Sequence, residues 1–240
     1  MIIYGLNPVL EALRAGRVSE IRVADRGGER IREVLTLAAE RGVRVQRVPA
    51  DLLARQARGG VHQGVIAEAD HGPDYSLEDL VGGARAAPLI VVLDGIEVPH
   101  NVGAILRTAD AAGVDGVVMQ SRRSAALDGA AAKASAGAVA HVKIAHVVNI
   151  ARALDELKDA GVWTIGLAGE STTRYDEIDF TLPSALVLGA EGSGLRRLVR
   201  EKCDFLAAIP MGGHVSSLNV SVAAGITLFE ALRQRRGPHA

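Results

Sequence analysis

The sequence predicts an α/β fold in two parts, a small N-terminal α/β region followed by a larger domain built on a parallel sheet. From Leu89 onward, short continuous apolar runs alternate with amphipathic helical patterns, as expected of strands covered on both faces and joined by crossover helices. Before residue 70 the same alternation occurs in shorter, half-polar segments. Between the two, Asp70–Pro88 shifts in composition: His71-Gly72-Pro73-Asp74, Gly82-Gly83 and Ala84–Pro88 carry turn and linker chemistry around one short segment, Leu77–Val81. The expected boundaries are therefore 1–70 for the first domain, 71–87 for the linker and 88–240 for the second. A length of 240 residues, 48% of them hydrophobic, accommodates two cores.

In the first region, Asn7-Pro8 opens a helix through about Ala15, with proline in the first turn where its missing N–H costs nothing. Glu20–Ala24 reads as a strand, Arg30–Arg41 as an amphipathic helix stopped by Gly42, and Val43–Val48 as a second strand. Asp51 caps a short helix, and Val61–Ala67 closes the set. In the second region the strands are Leu89–Leu93, Gly116–Met119, Val162–Leu167 and Ala185–Leu188. The helices are Val102–Ala112, Asn149–Ala160, Leu195–Lys202 and Ser217–Gln234, with right-handed crossovers expected. The helical pattern at 195 is read as running on to Phe205. Ser216 or Ser217 can cap the last helix, whose Leu218, Val222, Gly225, Phe229 and Leu232 recur on one face.

A net charge of −1 gives no global attraction to nucleic acid. The basic residues are mostly arginine, with lysine only at Lys133, Lys143, Lys158 and Lys202. Arginine suits bidentate contacts to phosphate, although a GC-rich genome produces the same bias. The lone Cys203 excludes an internal disulfide and, in a helical pattern, reads as structural. With no leader pattern and no membrane-length apolar run, a soluble cytoplasmic protein is expected.

Three stretches at strand ends could carry chemistry. The first runs Leu93-Asp94-Gly95-Ile96-Glu97-Val98-Pro99-His100-Asn101-Val102-Gly103-Ala104-Ile105-Leu106-Arg107, with Asn101 placed to cap a helix and Arg107 at the border of its apolar stripe. The second, Leu186-Val187-Leu188-Gly189-Ala190-Glu191-Gly192-Ser193-Gly194, puts glycines after a buried strand, where backbone can approach a ligand closely. The third, Ile209-Pro210-Met211-Gly212-Gly213-His214-Val215-Ser216-Ser217-Leu218-Asn219-Val220, gathers polar side chains where a strand hands over to a helix, the usual ligand position in open α/β sheets. The glycine order G-x-x-G-x-G is not the dinucleotide fingerprint, no histidine cluster has zinc spacing, and neither a nucleophile elbow nor a Walker A sequence occurs.

Together, in this order, the three stretches resemble the SpoU (TrmH) family of RNA 2′-O-ribose methyltransferases. They match its motifs D-x-x-x-x-P-x-N-x-G-A-x-x-R, L-x-L-G-x-E-G-x-G and I-P-M-x-G-x-x-x-S-L-N-V-S-V-A. Tyr4-Gly5-Leu6-Asn7-Pro8-Val9-Leu10-Glu11-Ala12-Leu13 and His62-Gln63-Gly64-Val65 look like the small RNA-binding domain that precedes the catalytic one in many members. The 23S rRNA guanosine-2′-O-methyltransferase branch is the most similar; Val98 departs from the acidic or polar residue more common before the proline. The resemblance implies an L30e-like N-terminal domain, a C-terminal trefoil knot, a homodimer and S-adenosyl-L-methionine as cofactor, with no metal. The cofactor-binding positions it implies are Gly189, Ile209 and Leu218, with Gly194 and, after the Val162–Leu167 strand, Gly169 as further walls. The catalytic set it implies is Asn101, Arg107, Glu191, Ser217 and Asn219.

Family mechanisms assign Arg107 the role of base. A guanidinium rarely gives up its proton in a protein, so an electrostatic grip on phosphate and on the developing oxyanion is the expectation. The arginines of the first region, Arg14, Arg17, Arg22, Arg26, Arg30, Arg32, Arg41, Arg44, Arg47, Arg55 and Arg58, with few aromatics, point to salt-sensitive recognition of structured RNA by phosphate and shape. A tRNA ribose methylase and a non-catalytic RNA-binding protein on the same scaffold are the competing readings. A nucleotide-dependent oxidoreductase is disfavoured by the glycine order.

Overall fold

The computed structural model describes residues 1–25, 28–122 and 124–236. Arg26 of the arginine set and residues 237–240 of the expected second domain lie outside them. In chain order the N-terminal elements are β1 (Ile2–Tyr4), α1 (Leu6–Arg14), β2 (Val18–Ala24), α2 (Glu29–Glu40), β3 (Arg44–Val48), α3 (Ala50–Gln56) and β4 (Val65–Ala69). Then come α4 (Leu77–Gly82), β5 (Leu89–Asp94), α5 (Pro99–Ala111), β6 (Gly116–Gln120), α6 (Gly129–Ala134), β7 (Ile144–Val147) and α7 (Ile150–Asp159). The last are β8 (Trp163–Leu167), β9 (Ser184–Gly189), α8 (Arg197–Lys202), β10 (Phe205–Ala207) and α9 (Val220–Arg236).

The described chain forms two compact units. The first comprises Met1–Pro73 with two later segments, Val102–Arg107 and Ala126–His141. Its sheet has the order β1-β4-β2-β3, with β2 and β3 parallel and β4 antiparallel to β1 and β2. Tyr4, Ala24, Val48, Leu53, Ala57 and Ile66 share one of its apolar clusters. The segment containing α6 is held by Lys133, which donates to the Val61 carbonyl at 2.7 Å, and by His141 against the Glu11 carboxylate at 2.8 Å.

The second unit comprises Asp74–Asn101, Thr108–Ala125 and the chain from Val142 on. Its six-stranded sheet, in the order β10-β8-β9-β5-β6-β7, is parallel throughout. Every residue of β5 and β6 is buried, which is why these strands read as unbroken apolar runs rather than alternating ones. Ile90, Val92, Val118, Ala185 and Val187 pack with Leu80 of α4 and with Ile150, Leu154 and Leu157 of α7. Burying each such side chain contributes about 1.5–3 kcal/mol. Two caps fix helix starts: the Ser76 hydroxyl and Asp79 form a capping box on α4, and the Asn149 carboxamide oxygen accepts the Arg152 N–H at 3.2 Å on α7.

The structure departs from the sequence expectations at several ends. The strand expected from Val61 begins at Val65, because Gln63 and Gly64 take positive φ (52° and 83°) in a turn closed by the Val65 N–H on the His62 carbonyl. Asp51 lies in the first turn of α3 after Pro49 and pairs with Arg55 at 2.5 Å instead of capping. Strands β1, β7 and β10 are additional to those expected. The helical pattern to Phe205 stops at Lys202, because Asp204 is drawn onto the sheet edge. Its carboxylate accepts the Thr164 N–H and hydroxyl at 2.9 and 2.7 Å, and its N–H donates to the Thr164 carbonyl. Asn101 lies inside α5, whose N-cap is Val98.

The cap of α9 is Asn219, not Ser216 or Ser217. Its side-chain oxygen accepts the Ser221 N–H at 2.9 Å, and its carbonyl accepts the N–H groups of Val222 and Ala223. The buried face of this helix is Val220, Ala224, Thr227, Leu228 and Ala231. The stripe containing Val222 and Phe229 points outward, at 49% and 50% exposure.

Candidate active site

β5, β9 and β8 are neighbours in a parallel sheet, so their carboxyl ends and the turns that follow lie along one edge. From β5 the chain passes through Gly95 to α5, placing Asn101 in the first turn of that helix, where its side chain is buried. After β9 the 190–194 turn closes on itself: the Ala190 N–H donates to the Gly194 carbonyl at 3.1 Å and the Gly194 N–H returns to Ala190 at 2.9 Å. Gly189 permits this closure. A Cβ there would lie 2.2 Å from the Gly194 carbonyl carbon, a distance at which no side chain can exist.

From the third stretch, Asn219 reaches both others. Its side-chain amide donates to the Asn101 carboxamide oxygen at 3.0 Å and to the Glu191 carboxylate. A single NH2 group thus joins residues 101, 191 and 219. Below this junction, Asp94, fully buried at the end of β5, accepts the Arg196 backbone N–H at 2.8 Å and its Nε at 2.6 Å, with a terminal guanidinium nitrogen also in contact. This pair was not singled out from the sequence. The signal was available: a carboxylate ending an all-apolar buried run requires a cation or donors.

The remaining implied residues are placed as follows. Ile209 and Leu218 are half-buried, and Ser217 is exposed, outside the junction. Gly169 and Gly194 have nothing within 4 Å of where a Cβ would stand, which leaves open space on that side of each. Arg107 is exposed on α5, in a stretch that belongs to the first unit. Burial pushes the Cys203 thiol up to about 12, and its Sγ donates to the Val199 carbonyl, so it holds little thiolate at neutral pH. Among the described residues, no group of three His, Cys, Asp or Glu side chains could hold a metal ion, and no helix is long and apolar enough to cross a membrane. A cavity of about 560 Å³ in the first unit, lined in part by Met1, Arg17, Ser19, Glu68 and Asp70, contains none of the motif residues.

Residues 88–229 match the model of the SpoU rRNA methylase family. The chain belongs to that family. Residues 2–73 match a second model, described as RNA 2′-O ribose methyltransferase substrate binding. The 23S rRNA (guanosine-2′-O-)-methyltransferase RlmB of Pseudomonas putida is 43% identical, over 98% of this chain and 96% of its own. The protein of the same name from Pseudomonas aeruginosa is 44% identical, over 97% and 96%. Among solved structures, the SpoU methyltransferase AviRb from Streptomyces viridochromogenes in complex with the cofactor AdoMet superposes with a TM-score of 0.83 at 27% identity, covering 98% of this chain and 90% of that one. SpoU membership accounts for the order of the three motifs along the sequence, and the junction at Asn219 shows what that order achieves in space.

Proposed function

We propose that this SpoU-family chain transfers a methyl group from S-adenosyl-L-methionine to the ribose 2′-hydroxyl of a guanosine in 23S rRNA. The observation that carries the reading is the junction at Asn219, where one residue from each motif meets at the carboxyl edge of the sheet. The residues present fit the cofactor. Nothing stands within 4 Å of where a Cβ would lie at Gly169 and Gly194, so a ligand can approach both closely, and Ile209 and Leu218 offer half-buried apolar side chains. Gly189, Gly194, Gly169, Ile209 and Leu218 would hold it, chiefly through main-chain groups. When bound, the cofactor supplies a methyl on a sulfonium centre, an electrophile that needs no metal.

The protein's own contribution is alignment and charge. Asn101 and Asn219 fix the Glu191 carboxylate relative to α5, and in-line alignment of this kind lowers the barrier by several kcal/mol, roughly up to 7–11 in well-oriented reactions. The Arg107 guanidinium grips an RNA phosphate and stabilises the 2′-oxygen as its proton leaves for water. Ser217 faces solvent beside this edge, where it can meet the RNA.

The first 70 residues form the substrate-binding domain, L30e-like in kind, joined through 71–87 to a methyltransferase domain from 88 on. Support comes from the mixed four-stranded sheet and from the family match over residues 2–73. A trefoil knot in the second domain is supported by the path after β10. The chain leaves the outermost strand yet returns past β8 and β9 to reach Glu191 and Asn101. A homodimer is supported by the outward apolar stripe of α9, with Val222 and Phe229 half exposed; cytoplasmic residence follows from the rRNA substrate.

The test is methylation of 23S rRNA transcripts with labelled cofactor, with the modified ribose mapped by reverse-transcription stops. Incorporation at one guanosine, abolished in Asn219→Ala, is expected; methylation confined to tRNA overturns the substrate. A pH–rate profile for Arg107→Lys decides that residue's role. Retained activity with an acid-shifted profile would identify a titrating base and refute the electrostatic one.

A further inference from the structure

We propose that Arg196 is a positioning residue for methyl transfer: anchored on buried Asp94, it holds the 190–195 turn so that the Gly189 backbone and the Glu191 carboxylate are correctly presented. The assignment presupposes the methyltransferase reading above. Residues 191–194 are all exposed, and Gly192 and Gly194 have positive φ, 79° and 65°. Burial therefore does little to order this turn. Besides the paired Ala190–Gly194 backbone bonds and the Asn219 contact to Glu191, what orders it is the way its two feet are fixed. The first foot, Gly189, is paired in the sheet with Asp94. The second foot, Arg196, is bonded through its backbone N–H and its guanidinium to the carboxylate of that same Asp94.

One residue of β5 thus clamps both ends of the turn. Asp94 is fully buried, whereas the Arg196 side chain is 47% exposed, so altering the arginine opens no cavity, and a glutamine or lysine there still offers the carboxylate a donor. The fork of the guanidinium matches a carboxylate in a way that a lysine ammonium, a point charge, does not. Any Arg196 variant keeps the backbone bond to Asp94; losing the side chain removes the part of the clamp that fixes the direction in which the turn leaves the sheet.

The test compares Arg196→Gln, Arg196→Lys and Asp94→Asn with wild type. Hydrogen exchange of the cofactor-free proteins is followed over residues 189–196, together with calorimetric binding of S-adenosylmethionine and separate KM and kcat values. Arg196→Gln is expected to exchange faster within 189–196 only. It should bind the cofactor on the order of tenfold to a hundredfold more weakly, the equivalent of one charged hydrogen bond, with KM rising more than kcat falls. Arg196→Lys should recover part of the loss, and Asp94→Asn should resemble Arg196→Gln. Wild-type exchange and KM in Arg196→Gln would overturn the proposal, as would loosening spread through the whole second unit, which marks a structural role only. Failure of wild-type protein to bind the cofactor would overturn the methyltransferase reading and this assignment with it.

Discussion

Gly189→Ala puts the tightest backbone approach at the site to a quantitative test. The added Cβ would lie 2.2 Å from the Gly194 carbonyl carbon and 2.4 Å from both the Gly194 oxygen and the Leu195 nitrogen. Carbon atoms in favourable contact sit about 3.5–4.0 Å apart, so the turn must retreat by more than an ångström. All three obstructing atoms are backbone, and no rotamer change can make room. Retreat strains or breaks the paired Ala190–Gly194 hydrogen bonds, each worth about 0.5–1.5 kcal/mol net. The expected loss of folding stability is therefore about 1–3 kcal/mol, or roughly 2–12 °C in Tm for a chain of this size. Cofactor affinity should fall as well, and the transfer rate by on the order of a hundredfold for a misplacement near 1 Å. Calorimetric titration with S-adenosylmethionine, paired with a thermal scan, reads affinity and stability. A variant that binds the cofactor as tightly as wild type would refute the claim that the closed turn forms the site.

Arg235 offers a stability test far from the motifs. It donates to the carbonyls of Phe180 at 2.7 Å and of Pro88 and Leu182 at 3.1 Å each, and also to that of Ala87. Arg235→Ala leaves the Phe180 and Ala87 carbonyls without this donor, while Ser184 still donates to those of Pro88 and Leu182, and should cost about 1–3 kcal/mol, read as a lower urea midpoint; an unchanged midpoint would show that water replaces the guanidinium. Asp204 gives a pH test. Burial tends to raise its pKa, but the Thr164 N–H and hydroxyl and the Lys158 ammonium outweigh it and hold the carboxyl below its ordinary 3.8. A depressed carboxylate contributes stability above the unfolded value and loses it as pH falls through the folded one. Asp204→Asn should therefore be less stable than wild type by about 1–3 kcal/mol at neutral pH, and urea melts should show the gap closing below 3.8; a gap independent of pH would contradict the ion pair. The Gln120 side-chain oxygen is buried without a hydrogen-bond partner among the described residues. Gln120→Met, which removes an unsatisfied acceptor at similar volume, should stabilise the chain by about 1 kcal/mol, and a lower urea midpoint in that variant would count against the oxygen being unpaired.

The parts of the fold legible in the sequence were those in which one physical rule dominates. Leu89–Leu93 and Ala185–Leu188 are apolar throughout because both faces are covered, and α7 shows its period because only one face is. The strands that escaped, β1, β7 and β10, are three or four residues long, and the helix that escaped, α6, has only six residues. In β10, moreover, the pairing is set by Asp204 bonding to Thr164, forty residues away, which no local pattern records. The stripe Val222–Phe229 was legible as apolar, but the side it faces was not. A helix with two apolar faces gives periodicity no means of choosing the inner one. Asn101, Glu191 and Asn219 could be chosen from the motifs, yet Asp94 and Arg196 could not be paired, since their contact spans 102 residues.

Asn219 uses the two ends of one carboxamide for different purposes: the oxygen starts α9 through Ser221, and the nitrogen ties Asn101 to Glu191. The meeting of the three motifs and the start of the terminal helix consequently depend on one side chain. Replacement by alanine removes both side-chain contacts at once, and a measured defect could not be apportioned between them. Aspartate separates the two: it retains the oxygen that begins the helix but brings a second carboxylate against Glu191. The immediate surroundings of this residue therefore accept a substitution only when the helix start and the three-motif junction are satisfied together.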